Sequence, residues 1–501
     1  MIEELESNRI EIQARLDSLK TSEERNRLGQ FATPSLLARD ILFHAKGFLP
    51  EGSKVRFLDP ALGSGAFFAA LKRVFKSEEI ESSAAFEIDS HYGGPAQELW
   101  EKQGLKITHG DFTQSEPVPD SNLIICNPPY VRHHHLDGDD KKRLQERSLM
   151  ASGQKPTGLA GLYVHFLLQS QAWMAPGAIA GWLIPSEFMD VNYGKAVKKY
   201  LLEKVTLLQI HRFCPEDIQF TDALVSSAVV WIKNEAPPPD HTVLFTFGGT
   251  LAEPIIAKSI SSGDLHREGK WTRFPRSDVR EQEVDGVVRL GDLFKIKRGI
   301  ATGDNKFFVI TEQKAADLNI PNFALRPILP SPRYVKEDDI KATEDGLPSN
   351  VDRLFLLDPK MSEIEIEAEH PDLYKYLLLG KENGVDQGYL CRGRKRWYDQ
   401  EQRGPAPIVC TYMGRSDGKS GRPFRFLLNR SKATVANTYL AMYPTLAMQE
   451  RLDADPSLLE KVWMQLNQIE PEVLLGEGRV YGGGLHKLEP KELSKVPIEL
   501  V

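Results

Sequence analysis

The chain has 501 residues, 41% of them hydrophobic and 27% charged, with a formal net charge of -7 at pH 7. This length exceeds what one hydrophobic core organises and predicts two domains, and the composition excludes a disordered or fibrous chain. No window nears the roughly 20 uninterrupted apolar residues of a membrane helix, the acidic start MIEELESNRI is unlike a signal peptide, and the four scattered cysteines Cys126, Cys214, Cys391 and Cys410 lack CxxC spacing, so a reduced, metal-free cytoplasmic protein with no membrane partner is expected.

Over residues 1–28 the spacing of Ile10, Ile12, Leu16 and Leu19 predicts one polar helix, an N-terminal extension packed on the domain that follows. A second helix is predicted over 34–48, with Pro34 early in it and Leu36, Leu37, Ile41 and Leu42 on its apolar side. Short apolar runs then alternate with helical stretches. Residues 55–58, 84–88, 123–126, 179–184, 207–210 and 228–232 read as buried strands, and the alternation predicts an α/β fold with a parallel-type sheet covered on both faces by helices. The run Ala236-Pro237-Pro238-Pro239-Asp240 cannot join a sheet interior, because proline lacks the amide donor. It places the end of this sheet near residue 240, a connecting segment at 241–285 and a second domain at 286–501, where periodicity weakens.

The run Asp59-Pro60-Ala61-Leu62-Gly63-Ser64-Gly65 leads from a strand through a glycine turn into a helix. In an open α/β sheet ligands bind beyond the carboxyl ends of the strands, where glycines admit close backbone approach. The spacing is neither GxGxxG nor a Walker motif, so neither a dinucleotide nor a triphosphate is favoured. Glu87 closes the next strand and Asp111-Phe112 follows a later one; the carboxylates suit ribose hydroxyls and an exocyclic amine, and Phe112 suits a purine face. Asn127-Pro128-Pro129-Tyr130 comes directly after the apolar strand 123–126. Its prolines hold the backbone so that the Asn127 side-chain oxygen and the Pro128 carbonyl converge on one external donor. Two acceptors drawing on the hydrogens of a conjugated amine favour the tetrahedral nitrogen of its transition state. Tyr130 is placed to stack on a base that has left the duplex.

On these motifs the chain resembles the gamma-class N6-adenine DNA methyltransferases of the TaqI kind, over roughly residues 29–233 and more loosely in the C-terminal half. The resemblance implies a Rossmann-like class I methyltransferase domain at 29–240 with S-adenosylmethionine as cofactor, followed by a mixed α/β target-recognition domain. It implies that Gln30-Phe31-Ala32-Thr33-Pro34 closes over the methionine part of the cofactor, with Phe31 and Thr33 in contact. It further implies that Asp59, Ala61, Gly63 and Gly65 line the same part, that Glu87 and Ile88 meet the ribose side, and that Asp111 and Phe112 meet the adenine, with Asn127 adjoining. Phe220 falls where the family has a second aromatic against the flipped base, opposite Tyr130. Leu62 stands where a cysteine is common in the family.

Segment 291–308 resembles the opening of the recognition domains of DNA methyltransferases. Between Arg392 and Lys432 eleven bases face three acids, a local balance of +8 in an acidic chain. Arg392, Arg394, Lys395, Arg396, Arg415, Arg425 and Lys432, interleaved with Trp397, Tyr398, Tyr412 and Phe424, suit phosphate contact, base-edge readout and stacking on double-stranded DNA. Residues 479–490 resemble type II modification enzymes of the PstI and BsuBI kind, which act on CTGCAG. The expected protein is thus a monomeric, site-specific adenine methyltransferase, with a separate cognate endonuclease as its counterpart. The alternatives are a protein glutamine N5-methyltransferase, which uses the same NPPY, and a noncatalytic DNA-binding component; with fewer than about 30 residues before the first domain, no fused nuclease is expected. His133-His134-His135 reads as a loop and no metal is expected.

Overall fold

The computed structural model describes residues 2–214, 226–275, 288–415, 422–481 and 485–498. Among these residues no helix is long and apolar enough to cross a membrane. The chain divides near residue 281 into two compact units.

The first unit begins with two helices where one is predicted: α1 (Ile2–Ser18) and α2 (Ser22–Leu28). The break falls at Thr21, whose hydroxyl accepts from the Glu24 amide while the Glu24 carboxylate accepts from the Thr21 amide. This reciprocal cap favours a fresh helix start over continuation. Gly29, at a left-handed φ of 66°, ends α2. The chain then runs extended to α3 (Ser35–Phe48), close to the predicted 34–48.

The sheet consists of β1 (Val55–Asp59), β2 (Ile80–Glu87), β3 (Lys106–His109), β4 (Ser121–Cys126), β5 (Met174–Pro185), β6 (Thr206–Arg212), β7 (Ser227–Lys233), β8 (Thr242–Gly249) and β9 (Pro254–Ser261), in the order β3-β2-β1-β4-β5-β7-β6-β8-β9. Strands β1 to β5 pair in parallel, while β7 runs antiparallel to both β5 and β6. Helices α4 (Ala66–Val74) and α5 (Ser90–Trp100) connect β1 to β2 and β2 to β3. Flanked by helices, this is the open, mostly parallel α/β sheet that the resemblance implies, with β7 and β9 running against the rest. Its interior is apolar and aromatic: Trp182, Trp231, Phe57 and Phe68 are fully buried, with Trp231 against Phe48 of α3 at 5.4 Å between ring centres.

The sheet does not end at the proline run. Pro237–Pro239 sit in the turn after β7, and the chain then crosses to the far side of β6, where β8 pairs in parallel with β6 and β9 antiparallel with β8. Residues 242–261 are therefore sheet and not connector. Proline bars residues 237–239 from a ladder but says nothing of the strand that follows. Val243, Phe245, Ile260, Trp271 and Phe274 complete the same core.

The second unit contains a five-stranded sheet ordered Phe294–Arg298, Tyr439–Pro444, Ile408–Thr411, Phe426–Asn429, Asp339–Ile340, antiparallel except for its last pair. A three-stranded sheet (Val309–Thr311, Leu354–Leu357, Leu325–Ile328) and helices such as Pro371–Glu382 stand beside it. The mixed α/β character matches the expectation for this half.

Because Phe245 is 1% exposed with Phe274 at 5.4 Å, Phe245→Ala is expected to cost about 3–5 kcal/mol in denaturant unfolding. A change within about 0.5 kcal/mol, as for a surface connector, would contradict the extension of the sheet.

Candidate active site

Strand order reverses between β1 and β4, where the crossovers from neighbouring strands leave in opposite directions and open a crevice at the carboxyl ends. Both informative motifs emerge there: Asp59 is the last residue of β1, and Asn127 directly follows β4. Glu87 ends β2 and Asp111 lies just beyond β3. The sheet thus brings the predicted residues of the catalytic half to one edge, while Phe220 lies outside the described residues.

The glycine turn is held by its neighbour strand. The Leu62 amide donates to the Phe86 carbonyl at 2.9 Å, and the Gly63 amide donates to Glu87 Oε2 at 2.7 Å. Gly65 has φ of 92°, and a Cβ on it would lie 2.4 Å from the Trp100 indole nitrogen, so this position admits only glycine. Gly63 also has a left-handed φ, 57°, but a Cβ there would meet nothing within 4 Å; its outer side is open. Asp59 is fully buried, with Oδ1 accepting from the Ala61 amide at 3.1 Å and Oδ2 taking no partner among the described residues. Burial pushes its carboxyl up to about 8, a rise that the Ala61 amide opposes and the Glu87 charge reinforces. Burial also raises Glu87, against the pull of the Asp89 and Gly63 amides. Two buried carboxylates, one with an unmet oxygen, beside a turn open at Gly63 fit a cationic ligand bearing hydroxyls, and S-adenosylmethionine has an ammonium, a sulfonium and a ribose.

Ile88, beside Glu87, is 72% exposed, an apolar surface suited to a ligand ring. Asp111 is committed locally: Oδ1 accepts from the Thr113 amide and hydroxyl, and Oδ2 from Gln114. Phe112 is 2% exposed, with its ring against Phe86, Phe166 and Trp173 at 5.3–5.5 Å. Its side chain belongs to the core, because Asp111 caps a helical turn whose first residue points inward.

The second half of the site joins the NPPY turn to the segment between α2 and α3. The Tyr130 amide donates to the Gly29 carbonyl at 3.1 Å, and Tyr130 Oη donates to the Leu183 carbonyl at 3.1 Å. A Cβ on Gly29 would fall 2.3 Å from the Tyr130 nitrogen, so the left-handed glycine also permits this approach. Asn127 Nδ2 donates to the Phe31 carbonyl at 3.0 Å and to Thr33 Oγ1 at 3.1 Å. Both amide hydrogens are thereby used, the orientation of the amide is set, and Oδ1 is buried with no donor among the described residues. Pro128 is buried, and Tyr130 is 8% exposed, tilted against Phe31 at 5.6 Å.

In the second unit several cations of the basic stretch, among its described residues, are taken up by partners within the protein. Arg425 is drawn to Asp338 and to the Val335 carbonyl, Arg396 to Asp399 and the Lys360 carbonyl, and Arg394 to the Ala301 and Trp397 carbonyls. Arg430 pairs with Asp339 and Glu460. These partners lie mostly far away in sequence, which is why a local charge count misses them. Tyr398, Tyr412 and Phe424 are buried, and Trp397 is half-buried against Phe307 and Phe308; the expectation that these aromatics stack on bases is corrected for the three buried rings. Arg392, Lys395, Arg415 and Lys432 are exposed, Lys432 donating to the Asp345 carbonyl.

Residues 77–219 match the family described as Eco57I restriction-modification methylase, and residues 278–501 match the C-terminal domain of type II methyltransferase M.Eco57I. The chain is 27% identical to type II methyltransferase M.XamI of Xanthomonas campestris pv. amaranthicola, over 94% of this chain and 85% of that one. It is likewise 27% identical to type II methyltransferase M.AccI of Acinetobacter calcoaceticus, over the same shares. Among solved structures, the type IIL restriction-modification enzyme MmeI in complex with DNA has the same fold at 13% identity and a TM-score of 0.51, over 87% of this chain; the chain spans 65% of that longer protein.

The raised Asp59 carboxyl carries a stability consequence. Its folded value, about 8, lies above the ordinary 3.8, so its contribution is fully present below pH 4 and is lost as pH rises towards 8. Asp59→Asn removes that loss. Without ligand, its melting temperature is expected to gain on that of the unaltered protein between pH 5 and pH 8; a difference constant with pH would show that Asp59 is not held protonated.

Proposed function

The chain belongs among the restriction-modification DNA methyltransferases whose methylase and C-terminal domains it carries, and from that membership we propose that it methylates the N6 amine of adenine within a short duplex sequence. The observation that carries this reading is the Asn127 amide: both hydrogens are tied to Phe31 and Thr33, and its buried oxygen is free to accept. Such a group suits a substrate NH2, and the adenine N6 amine is one.

When bound, S-adenosylmethionine supplies an electrophilic methyl group. In this proposal Asp59, Ala61, Gly63 and Gly65 hold its amino-acid end together with Phe31 and Thr33, Glu87 and Ile88 meet its ribose side, and the turn at Asp111 borders its adenine, with the Phe112 ring supporting that turn from the core. The protein's work on the substrate is positional and electrostatic. Asn127 Oδ1 and the Pro128 carbonyl accept the two N6 hydrogens, which draws the nitrogen lone pair out of conjugation with the ring. Oδ1 cannot swing away, because its own amide is held from behind. Adenine reaches these acceptors by leaving the duplex, with Tyr130 on one face and Phe220 on the other.

Of the cations in the second unit, Arg392, Lys395, Arg415 and Lys432 are exposed for phosphate contact, while Arg394, Arg396, Arg425 and Trp397 shape the loops that carry base readout. We place the protein in the cytoplasm as the modification counterpart of a separate endonuclease, as a monomer. A glutamine side-chain amide would meet the same two acceptors, but that reaction leaves the C-terminal unit without a task.

Labelled methyl transfer to plasmid DNA, with sequencing that resolves modified bases by position, tests the proposal. N6-methyladenine in one short motif is expected, falling by at least about 100-fold in Asn127→Ala, the scale for loss of a preorganised transition-state contact. Label on cytosine, or on a protein glutamine with varied DNA left unmodified, would overturn it.

A further inference from the structure

Arg9 and Glu6 are buried at 3% and 4% exposure, an ion pair in a helix that otherwise looks like a polar extension. Arg9 Nε and Nη2 donate to the two Glu6 carboxylate oxygens at 2.7 and 2.9 Å. A buried ion pair seldom stabilises a fold better than apolar residues of the same volume. What this pair provides is direction. Arg9 Nη1 donates to Ser64 Oγ at 2.9 Å and Nη2 to Ser35 Oγ at 2.9 Å, while Ser35 Oγ donates to Glu6.

These two serines occupy telling places. Ser64 stands between the left-handed Gly63 and Gly65, and its carbonyl accepts from the Trp100 indole at 2.9 Å. Ser35 is the first residue of α3, directly after the Gln30–Pro34 segment that holds Asn127. One guanidinium therefore grips both backbone segments that border the crevice. The rest of the extension repeats the pattern at the end of β2: Lys20 pairs with Asp89, Gln30 donates to the same carboxylate, Tyr92 donates to Asp17, and the Asp89 amide donates to Glu87.

We propose that α1 is a strut for the cofactor turn and that Arg9 is its positioning residue, fixing Ser64 and with it the two glycines so that the turn is preformed for S-adenosylmethionine. The proposal rests on the reading of Asp59 to Gly65 as the cofactor turn. Arg9 touches neither base nor methyl group, so its loss acts on cofactor affinity. Four donated bonds leave three separate nitrogens of the Arg9 fork for Glu6, Ser35 and Ser64, more than the three N–H groups on the single nitrogen of a lysine can match.

The test uses the full chain and calorimetric titration with S-adenosylmethionine, melting temperatures being measured alongside. Arg9→Met and Ser64→Ala are each expected to raise the cofactor Kd about tenfold, the scale of one charge-assisted hydrogen bond, with Arg9→Lys between them and the unaltered protein. In steady state Arg9→Met is expected to raise the cofactor KM while kcat at saturating cofactor and KM for DNA stay within about twofold. The double variant is expected to bind no more weakly than Arg9→Met, because Arg9 acts through Ser64. If Arg9→Met does not fold, Ser64→Ala, which leaves the ion pair whole, carries the test. Unchanged Kd in the folded variants, whatever their melting temperatures, overturns the strut while Asp59→Ala binds weakly; if Asp59→Ala also binds normally, it is the reading of the turn that falls.

Discussion

A side-chain amide has two hydrogens to give and one oxygen to receive with. In Asn127 the fold takes both hydrogens, through the Phe31 carbonyl and the Thr33 hydroxyl, and leaves the oxygen buried without a donor among the described residues. An unmet buried acceptor costs free energy on the order of 1–3 kcal/mol, and such a cost persists where the surroundings determine the geometry. Here they do so from several sides. Gly29 lets the α2–α3 segment come close to Tyr130, the Tyr130 hydroxyl is anchored on β5, and the prolines remove freedom from the turn between.

The same economy governs the cofactor side. Asp59 and Glu87 are both buried, and each is opposed only in part by backbone amides. The Asp59 penalty falls on a strand held on both sides, by β2 and β4, within a large apolar sheet. A cation arriving at that carboxylate would restore the interaction that burial removes. The two halves of the site, acceptor for an amine and acceptor for a cation, lie at the ends of adjacent strands. They are joined by an N-terminal segment whose own helix is wired into both. The extension is thus part of the site's architecture, which an apolar-spacing analysis of α1 does not reveal.

How much of this was legible in the sequence depended on whether a signal was local. Strands β1, β2, β4, β5, β6 and β7 are short apolar runs because both of their faces are covered, and they could be read. Strand β3 could not: Lys106, Thr108 and His109 are exposed, and only Ile107 marks it as a strand. Strands β8 and β9 followed a proline run that reads as an ending. The α1–α2 break carried a Thr-x-x-Glu signal that the apolar spacing hid. The NPPY and glycine motifs were legible as chemistry since each is contiguous, but the tie from Asn127 to residues 31 and 33 spans 94 to 96 residues and no local pattern encodes it. The basic segment failed as a charge map for the same reason, with Asp338, Asp339 and Glu460 arriving from elsewhere in the second unit.

The most direct test of the central claim is a cycle between Asn127 and the target amine. Duplexes carrying adenine or purine at the methylated position are bound to the unaltered protein and to Asn127→Ala in the presence of a cofactor analogue, and the four affinities are compared. The account requires a coupling of about 1–3 kcal/mol between the side chain and the amine. Additive losses, with purine and adenine distinguished equally well by both proteins, would mean that the Asn127 oxygen does not receive the amine.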